Sequence, residues 1–237
     1  MEDLSGYVLR DDYLDRDSCR ELLGAIAEYR KANPLQEIHR DMRGRSLHYS
    51  VIDGLAIRDY LPQIWDLYIG RVNEMVRNLV GEDVVPLASS RVGVNVNVMP
   101  PGRSEYRWHY DRCAVTAIIY LNEVEAGETE FYPRLRWLLS NQERVRTQKA
   151  LDRLARSWLA RSIRSKRVSV RPKPGRLVLM EGNRCWHSVR GVQGTRDRIN
   201  VILAYDVEGS SFAAEEGLDA YLYTMGETVE KDPNYGG

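Results

Sequence analysis

The run Trp108-His109-Tyr110-Asp111 sets an imidazole and a carboxylate at i and i+2, which on an extended strand project to the same side and can share one metal ion. A third candidate ligand, His187, lies 76 residues past Asp111, directly after the apolar stretch GRLVLMEGNRCW. Two histidines and one carboxylate occupy one face of an octahedral ion and leave three adjacent positions open. This suits an iron that must take a bidentate co-substrate and dioxygen together, whereas zinc more often completes a tetrahedron with a fourth protein ligand or a water. The chain has only four histidines, and the other two, His39 and His48, show no ligand spacing and read as ordinary polar residues.

Arg196 and Arg198 follow His187 by nine and eleven residues on the segment RDRINVILAYD. They share parity, so either can project into the same cavity and offer a guanidinium fork to a carboxylate. The segment RVGVNVNVM alternates, with Val92, Val94, Val96 and Val98 on one face and Gly93, Asn95, Asn97 and Met99 on the other. Asn95 and Asn97 can therefore serve a ligand or satisfy each other inside a polar interior. Tyr106, Trp108 and Tyr120 are aromatic residues placed to line a pocket or to pack a core.

The elements that must position these groups fall into two halves. Residues 1–90 are mainly helical: a short strand and turn over 6–16, a helix capped by Asp17 or Ser18 that runs to about Lys31 and ends at Asn33-Pro34, and a second helix over 56–80. Residues 35–55 show no clear period. From Arg91 to Asp206 short strands recur, at 91–99, 114–120, 129–132, 168–171, 175–180, 188–192 and 198–205, the spacing of a sandwich or barrel. Residues 134–167 interrupt them with a helix whose apolar residues Leu151, Leu154, Ala155, Trp158 and Leu159 keep helical period. The tail 207–237 is acidic and then frayed.

The composition sets outer limits on function. With 237 residues, one domain over 1–237 is expected. The 34 Lys and Arg balance 34 Asp and Glu, which argues against a nucleic-acid substrate or an anionic membrane. The exception is the segment 134–173, where 13 basic residues stand against Glu143 and Asp152, a local charge of about +11; it is either a solvated helix face or a docking face for an anionic substrate or acidic carrier protein. No apolar run reaches the ~18 residues of a membrane span, and the acidic start MEDLSGYVLRDDYLD is unlike a signal peptide. Cys19, Cys113 and Cys185 are three, far apart and without a CxxC pair, so a reducing cytoplasm is expected.

Taken together, the HxD pair, the distant His and the trailing Arg resemble the iron(II)- and 2-oxoglutarate-dependent dioxygenases, nearest to the prolyl 4-hydroxylase-like branch. HYDRCAVTAIIYLNEVEAGETEFYP is similar to that branch's HxD, YLN and GGxTxFP run, with Ala126 in place of the first glycine. YVLRDDYLDRDSCRELLGAI is similar to its opening strand and helix, and WHSVRGVQGTRDRINVILAYD to its closing strand. The resemblance implies an α+β fold with a double-stranded β-helix (jelly-roll) core. It implies His109, Asp111 and His187 as ligands of Fe(II), and Arg198, with Arg196 as the alternative, as the partner of the distal carboxylate of 2-oxoglutarate. Asn95 and Asn97 are further candidates to bind co-substrate or substrate. The implied chemistry couples oxidative decarboxylation of 2-oxoglutarate to oxidation of a C–H bond with O2, with ascorbate as a stimulant. Hydroxylation is favoured because Asp111 is present, where halogenating relatives carry a small residue. A small polar metabolite, such as an amino acid or biosynthetic intermediate, is the expected substrate. A peptide substrate of the prolyl type, a carrier-bound or phosphorylated one, and a non-catalytic cupin-like binding protein are the alternatives.

Overall fold

The computed structural model describes residues 4, 6–42, 45–81, 83–102, 105–138, 146–164 and 166–209. In chain order the elements are β1 (Tyr7–Arg10), α1 (Arg16–Ala32), β2 (Glu37–Met42), β3 (Arg45–Ile52), α2 (Gly54–Tyr60), α3 (Pro62–Ile69), α4 (Arg71–Val80) and β4 (Val84–Pro86). They continue with α5 (Ser90–Gly93), β5 (Val94–Met99), β6 (Tyr106–His109), β7 (Val115–Tyr120), β8 (Thr129–Tyr132), α6 (Arg146–Ala155) and α7 (Trp158–Arg164). The last strands are β9 (Val168–Val170), β10 (Leu177–Met180), β11 (Trp186–Val189) and β12 (Arg198–Val207).

Every strand pairing is antiparallel. The larger sheet runs β1-β10-β7-β12-β5-β3-β2 with β4 beside β12, and the smaller runs β6-β11-β8-β9. Together with the helices they make the α+β, double-stranded β-helix architecture that the resemblance implies, within the sandwich or barrel that the spacing of short strands predicts.

The alternation of β5 decides which residues face which way. Val94, Val96 and Val98 point out of the barrel and join Val115, Ala117, Ile119, Leu177, Leu179, Val201 and Leu203 in one apolar layer. Cys19, Leu22 and Ile26 of α1, Ile64 and Tyr68 of α3, and Val72 and Val76 of α4 cover that layer. Each such side chain contributes roughly 1.5–3 kcal/mol by burial. Two hydrogen bonds fix the register of helix on sheet: Tyr68 donates to the Ala204 carbonyl at 3.1 Å, and Tyr205 to the Tyr68 carbonyl at 2.8 Å.

Four local expectations change. The cap of α1 is Asp15, whose side chain accepts from the Ser18 amide; Asp17 sits inside the first turn and pairs with Arg20. The single helix over 56–80 is three, because Pro62 starts a new helix after Leu61 and Gly70 ends it. Residues 35–55 hold the hairpin β2–β3, with Ile38 opposite Tyr49 and His39 opposite His48. In β3 Leu47, Tyr49 and Val51 alternate with His48 and Ser50 and share one apolar cluster, and pairing with β5 joins the hairpin to the larger sheet. Finally, Ser90–Gly93 is a helical turn, so Val92 leaves the valine face and lines the cavity. The tail beyond Gly209 lies outside the described residues.

Candidate metal centre

His109 on β6 and His187 on β11 are direct cross-strand partners, which puts their ring centroids 4.1 Å apart. Asp111 lies just past the end of β6 and turns back, so that Oδ1 is 3.4 Å from Nε2 of each histidine. In each ring Nδ1 meets a backbone carbonyl two residues upstream: His109 that of Arg107 at 2.8 Å, His187 that of Cys185 at 3.0 Å. Nδ1 must carry the proton to donate there, so both Nε2 lone pairs face Asp111 Oδ1 and one another.

The carboxylate is held from behind. Thr116 Oγ1 donates to Asp111 Oδ2 at 2.5 Å, and the Asp111 amide donates to the Gly182 carbonyl at 3.0 Å. A Cβ on Gly182 would stand 2.5 Å from Thr116 Oγ1 and 3.0 Å from Asp111 Cβ, so only glycine lets the turn at 181–184 close against the site. Burial pushes the Asp111 carboxyl up, but the facing His187 and His109 outweigh it and hold the group well below the usual carboxylate range. Burial lowers His109, helped by His187; burial also lowers His187, but Asp111 outweighs it and raises it. The donor set is therefore one anionic oxygen and two imidazole nitrogens converging on a point, with ligand atoms all within 4.8 Å of one another.

The three ligand candidates open onto a cavity of about 170 Å³ between the two sheets. Arg198 reaches it from the start of β12 and is 2% exposed. Its guanidinium donates to the Gly127 carbonyl at 3.0 Å, to Thr129 Oγ1 at 3.0 Å and to Asn200 Oδ1, and lies over the Tyr120 ring. No carboxylate of the described residues pairs with it, and burial lowers it from its ordinary value without discharging an arginine. Gly127 explains the glycine retained in the GETEF run. It sits at φ +83°, and a Cβ there would stand 3.0 Å from Arg198 Cδ.

Asn95 and Asn97 both line the cavity, as the strand alternation predicts. Arg196 is exposed in the loop before β12, outside the cavity. The two arginines share parity in sequence, but only Arg198 is on the strand. Tyr106 lines the cavity; Trp108 stands on the opposite face, in tilted contact with Trp186 and Tyr132; Tyr120 is buried beneath the Arg198 guanidinium and donates to Thr129 at 2.6 Å. Sequence reasoning missed Thr116, Gly182, Thr129 and Asn200. The last had a signal, since it shares parity with Arg198 on the same strand.

The insertion behaves differently from its pattern. Leu154, Trp158 and Leu159 are 59%, 68% and 54% exposed, because the helix breaks at Arg156–Ser157 and α7 begins anew under the Ser157 hydroxyl. The buried face of α6 is instead Gln148, Asp152 and Ala155. Arg136 grips Asp152 with two hydrogen bonds of 2.9 and 2.7 Å and lies 4.9 Å over Tyr110, the residue between the candidate ligands. Arg161 of α7 stacks over Trp186 at 5.2 Å, on the outer face of the small sheet. Much of the local charge is spent on acids of other elements: Arg134 on Glu181, Arg167 on Glu130, Arg171 on Glu128, and Lys173 on Asp11 and Asp12.

Cys19, Cys113 and Cys185 are free and buried. No helix among the described residues is long and apolar enough to cross a membrane.

No curated protein matches the chain in sequence. Among solved structures, it is similar to SnoK, a non-heme alpha-ketoglutarate-dependent carbocyclase from nogalamycin biosynthesis, with TM-score 0.67, 18% identity, and 97% of this chain and 90% of that chain covered. It is also similar to the epimerase SnoN in complex with Fe3+, alpha-ketoglutarate and nogalamycin RO, with TM-score 0.61, 15% identity and coverage of 89% and 82%. A prolyl-4-hydroxylase from Pseudomonas putida aligns with TM-score 0.52, 18% identity and coverage of 86% and 94%. At these identities the likeness is one of fold. Residues 94–205, which hold all three candidate ligands and Arg198, match the family model of the 2OG-Fe(II) oxygenase superfamily. Over this segment the chain is similar to that superfamily, whose members use Fe(II), 2-oxoglutarate and dioxygen, and the His-Asp-His cluster lies within it.

Proposed function

We propose that the protein oxidises a C–H bond of a small metabolite, with hydroxylation as the outcome and succinate and CO2 as co-products. The observation that carries this reading is Arg198: a buried guanidinium with no carboxylate partner among the described residues, opening on the same cavity as three converging metal-ligand atoms. A buried cation of this kind calls for an anion. The unpartnered Nδ2 of Asn200 beside it adds a second donor.

The register explains why 2-oxoglutarate fits. On β7 and β12 the inward pairs run Thr116–Ala204, Ile118–Ile202 and Tyr120–Asn200, successive pairs lying about 6.6–6.8 Å apart along the strands. The wall is thus polar beside Asp111, apolar at Ile118 and Ile202, and cationic at Arg198. A five-carbon dicarboxylate has the same order: a chelating head, two methylenes and an anionic end. In this reading His109 Nε2, His187 Nε2 and Asp111 Oδ1 hold Fe(II), and Arg198 holds the distal carboxylate. The metal with its co-substrate supplies the activation of dioxygen. Asn95 and Asn97 then face the remaining space, and Tyr49, Val51, Leu87 and Val92 exclude water from it. An apolar cavity of about 150 Å³ holds one benzene, so a cavity of about 170 Å³ has room for a co-substrate of this size.

The same fold and cofactors serve a carbocyclase and an epimerase in the two nogalamycin proteins, so the outcome needs its own readout. Anaerobic addition of Fe(II) and 2-oxoglutarate to purified apoprotein should give the weak visible charge-transfer band of the bidentate complex, and His187→Ala should remove it. A metabolite screen following succinate then finds the substrate. A product heavier by one oxygen atom supports hydroxylation; loss of two hydrogens or unchanged mass replaces it with ring closure or epimerisation. Absence of the band in folded protein overturns the oxygenase reading of this site.

A further inference from the structure

All four histidines of the chain fall into two clusters, each of two imidazoles and one carboxylate, and the second cluster has no part in the site above. On the hairpin β2–β3, His39 stands directly opposite His48. Their rings stack with centroids 3.9 Å apart and planes 28° apart. Glu37 lies two residues before His39 on the same face of β2, and its Oε2 is 3.2 Å from His39 Nε2 and 3.3 Å from His48 Nε2. All three ligand atoms lie within 4.8 Å of one another. We propose that Glu37, His39 and His48 form a second metal site that takes a divalent transition ion, zinc above all.

The donor chemistry favours this choice. Two imidazole nitrogens and one carboxylate oxygen are a common zinc set, with water in the fourth tetrahedral position. Solvent reaches the cluster, since the side chains of Glu37 and His39 are 66% and 52% exposed and that of His48 is 22% exposed. Glu37 Oε2 already lies 3.2 and 3.3 Å from the two Nε2 atoms, so an ion can take all three donors with small shifts of the side chains. Ligands on two strands make the ion a clip. It would tie β2 to β3, the strand whose opposite face supplies Tyr49 and Val51 to the cavity wall. The physical consequence is a stiffer wall and a hairpin stabilised by mass action of the metal.

The test is zinc stoichiometry on tag-free, chelator-stripped full-length protein, using Zn2+ alone as the probe. The His187→Ala variant removes the first cluster from the count and so makes the result independent of the oxygenase reading. It is expected to retain one zinc per chain, and His48→Ala or His39→Ala on that background should weaken the remaining affinity at least tenfold, on the order of what support lost at a metal site costs. Co2+ gives a second readout: the His187→Ala protein should show the intense visible bands of a tetrahedral ion, and His39→Ala, at an exposed position, should abolish them without loss of helix or strand by circular dichroism. Zinc uptake by the His187→Ala protein that is absent, or that survives both hairpin substitutions unchanged, overturns the proposal.

Discussion

Thr116 and Asp111 are joined by a hydrogen bond of 2.5 Å in which the hydroxyl engages Oδ2, leaving Oδ1 equidistant, at 3.4 Å, from the two imidazoles. The candidate ligand oxygen is thus set by a residue of β7, outside the segment that carries Asp111. Thr116→Val keeps the volume and removes the donor, and is expected to weaken Fe(II) binding by about 10–100-fold with little change in Tm. Gly182→Ala should weaken binding too, by displacing Thr116 and Asp111, and lower Tm as well because its Cβ crowds the buried turn. Metal titration of folded protein checks both, and undiminished affinity in Thr116→Val would remove the hydroxyl from the site.

Arg198 and Arg196 separate cleanly by the co-substrate they would hold. Arg198→Ala deletes charged hydrogen bonds worth about 1.5–3 kcal/mol, so the 2-oxoglutarate concentration for half-saturation should rise roughly 10- to 100-fold. Arg196→Ala, exposed in its loop, should leave it unchanged. Titration of the charge-transfer band measures both, and the reverse order would exchange their roles.

The insertion is anchored by Arg136 and Asp152, a buried pair with the arginine side chain 2% exposed. Arg136→Ala leaves that carboxylate uncompensated, a change that typically costs about 3–5 kcal/mol. Faster hydrogen exchange over 146–164 than in β7 and β12 is expected. Replacing both partners by Met and Leu should recover most of the loss, and uniform exchange across the chain in the single variant would deny the insertion its separate anchor.

The cysteines should be silent in the native state. Burial pushes all three thiols up, Cys185 to about 12. Since the thiolate is the nucleophile, raising the pH to about 8.5, where a free cysteine is half ionised, should give no alkylation by iodoacetamide. Three equivalents should react once the chain is unfolded. Native labelling at any position would show that its burial is transient.

Short-range chemistry was legible in the amino-acid order alone. Asp111 comes beside His109 by a turn past the end of β6 rather than by strand period, but the alternation of β5 sorted its valines from Asn95 and Asn97, and Asn33-Pro34 ended α1. Those signals survive because strand period and the limits on proline act within a few residues. Pairing between distant segments emerges only from the folded chain. His187 meets His109 through the register of β11 on β6, Thr116 and Gly182 reach Asp111 from other elements, and Arg198 rather than Arg196 lines the cavity because of where β12 begins. The register of the hairpin β2–β3 likewise brings Glu37, His39 and His48 to one point. The apolar stripe of the insertion shows the converse. Its period is real, but Arg136 supplies a better partner for the adjoining face, and a buried ion pair with Gln148 beside it turns Gln148, Asp152 and Ala155 inward and leaves Leu154 exposed.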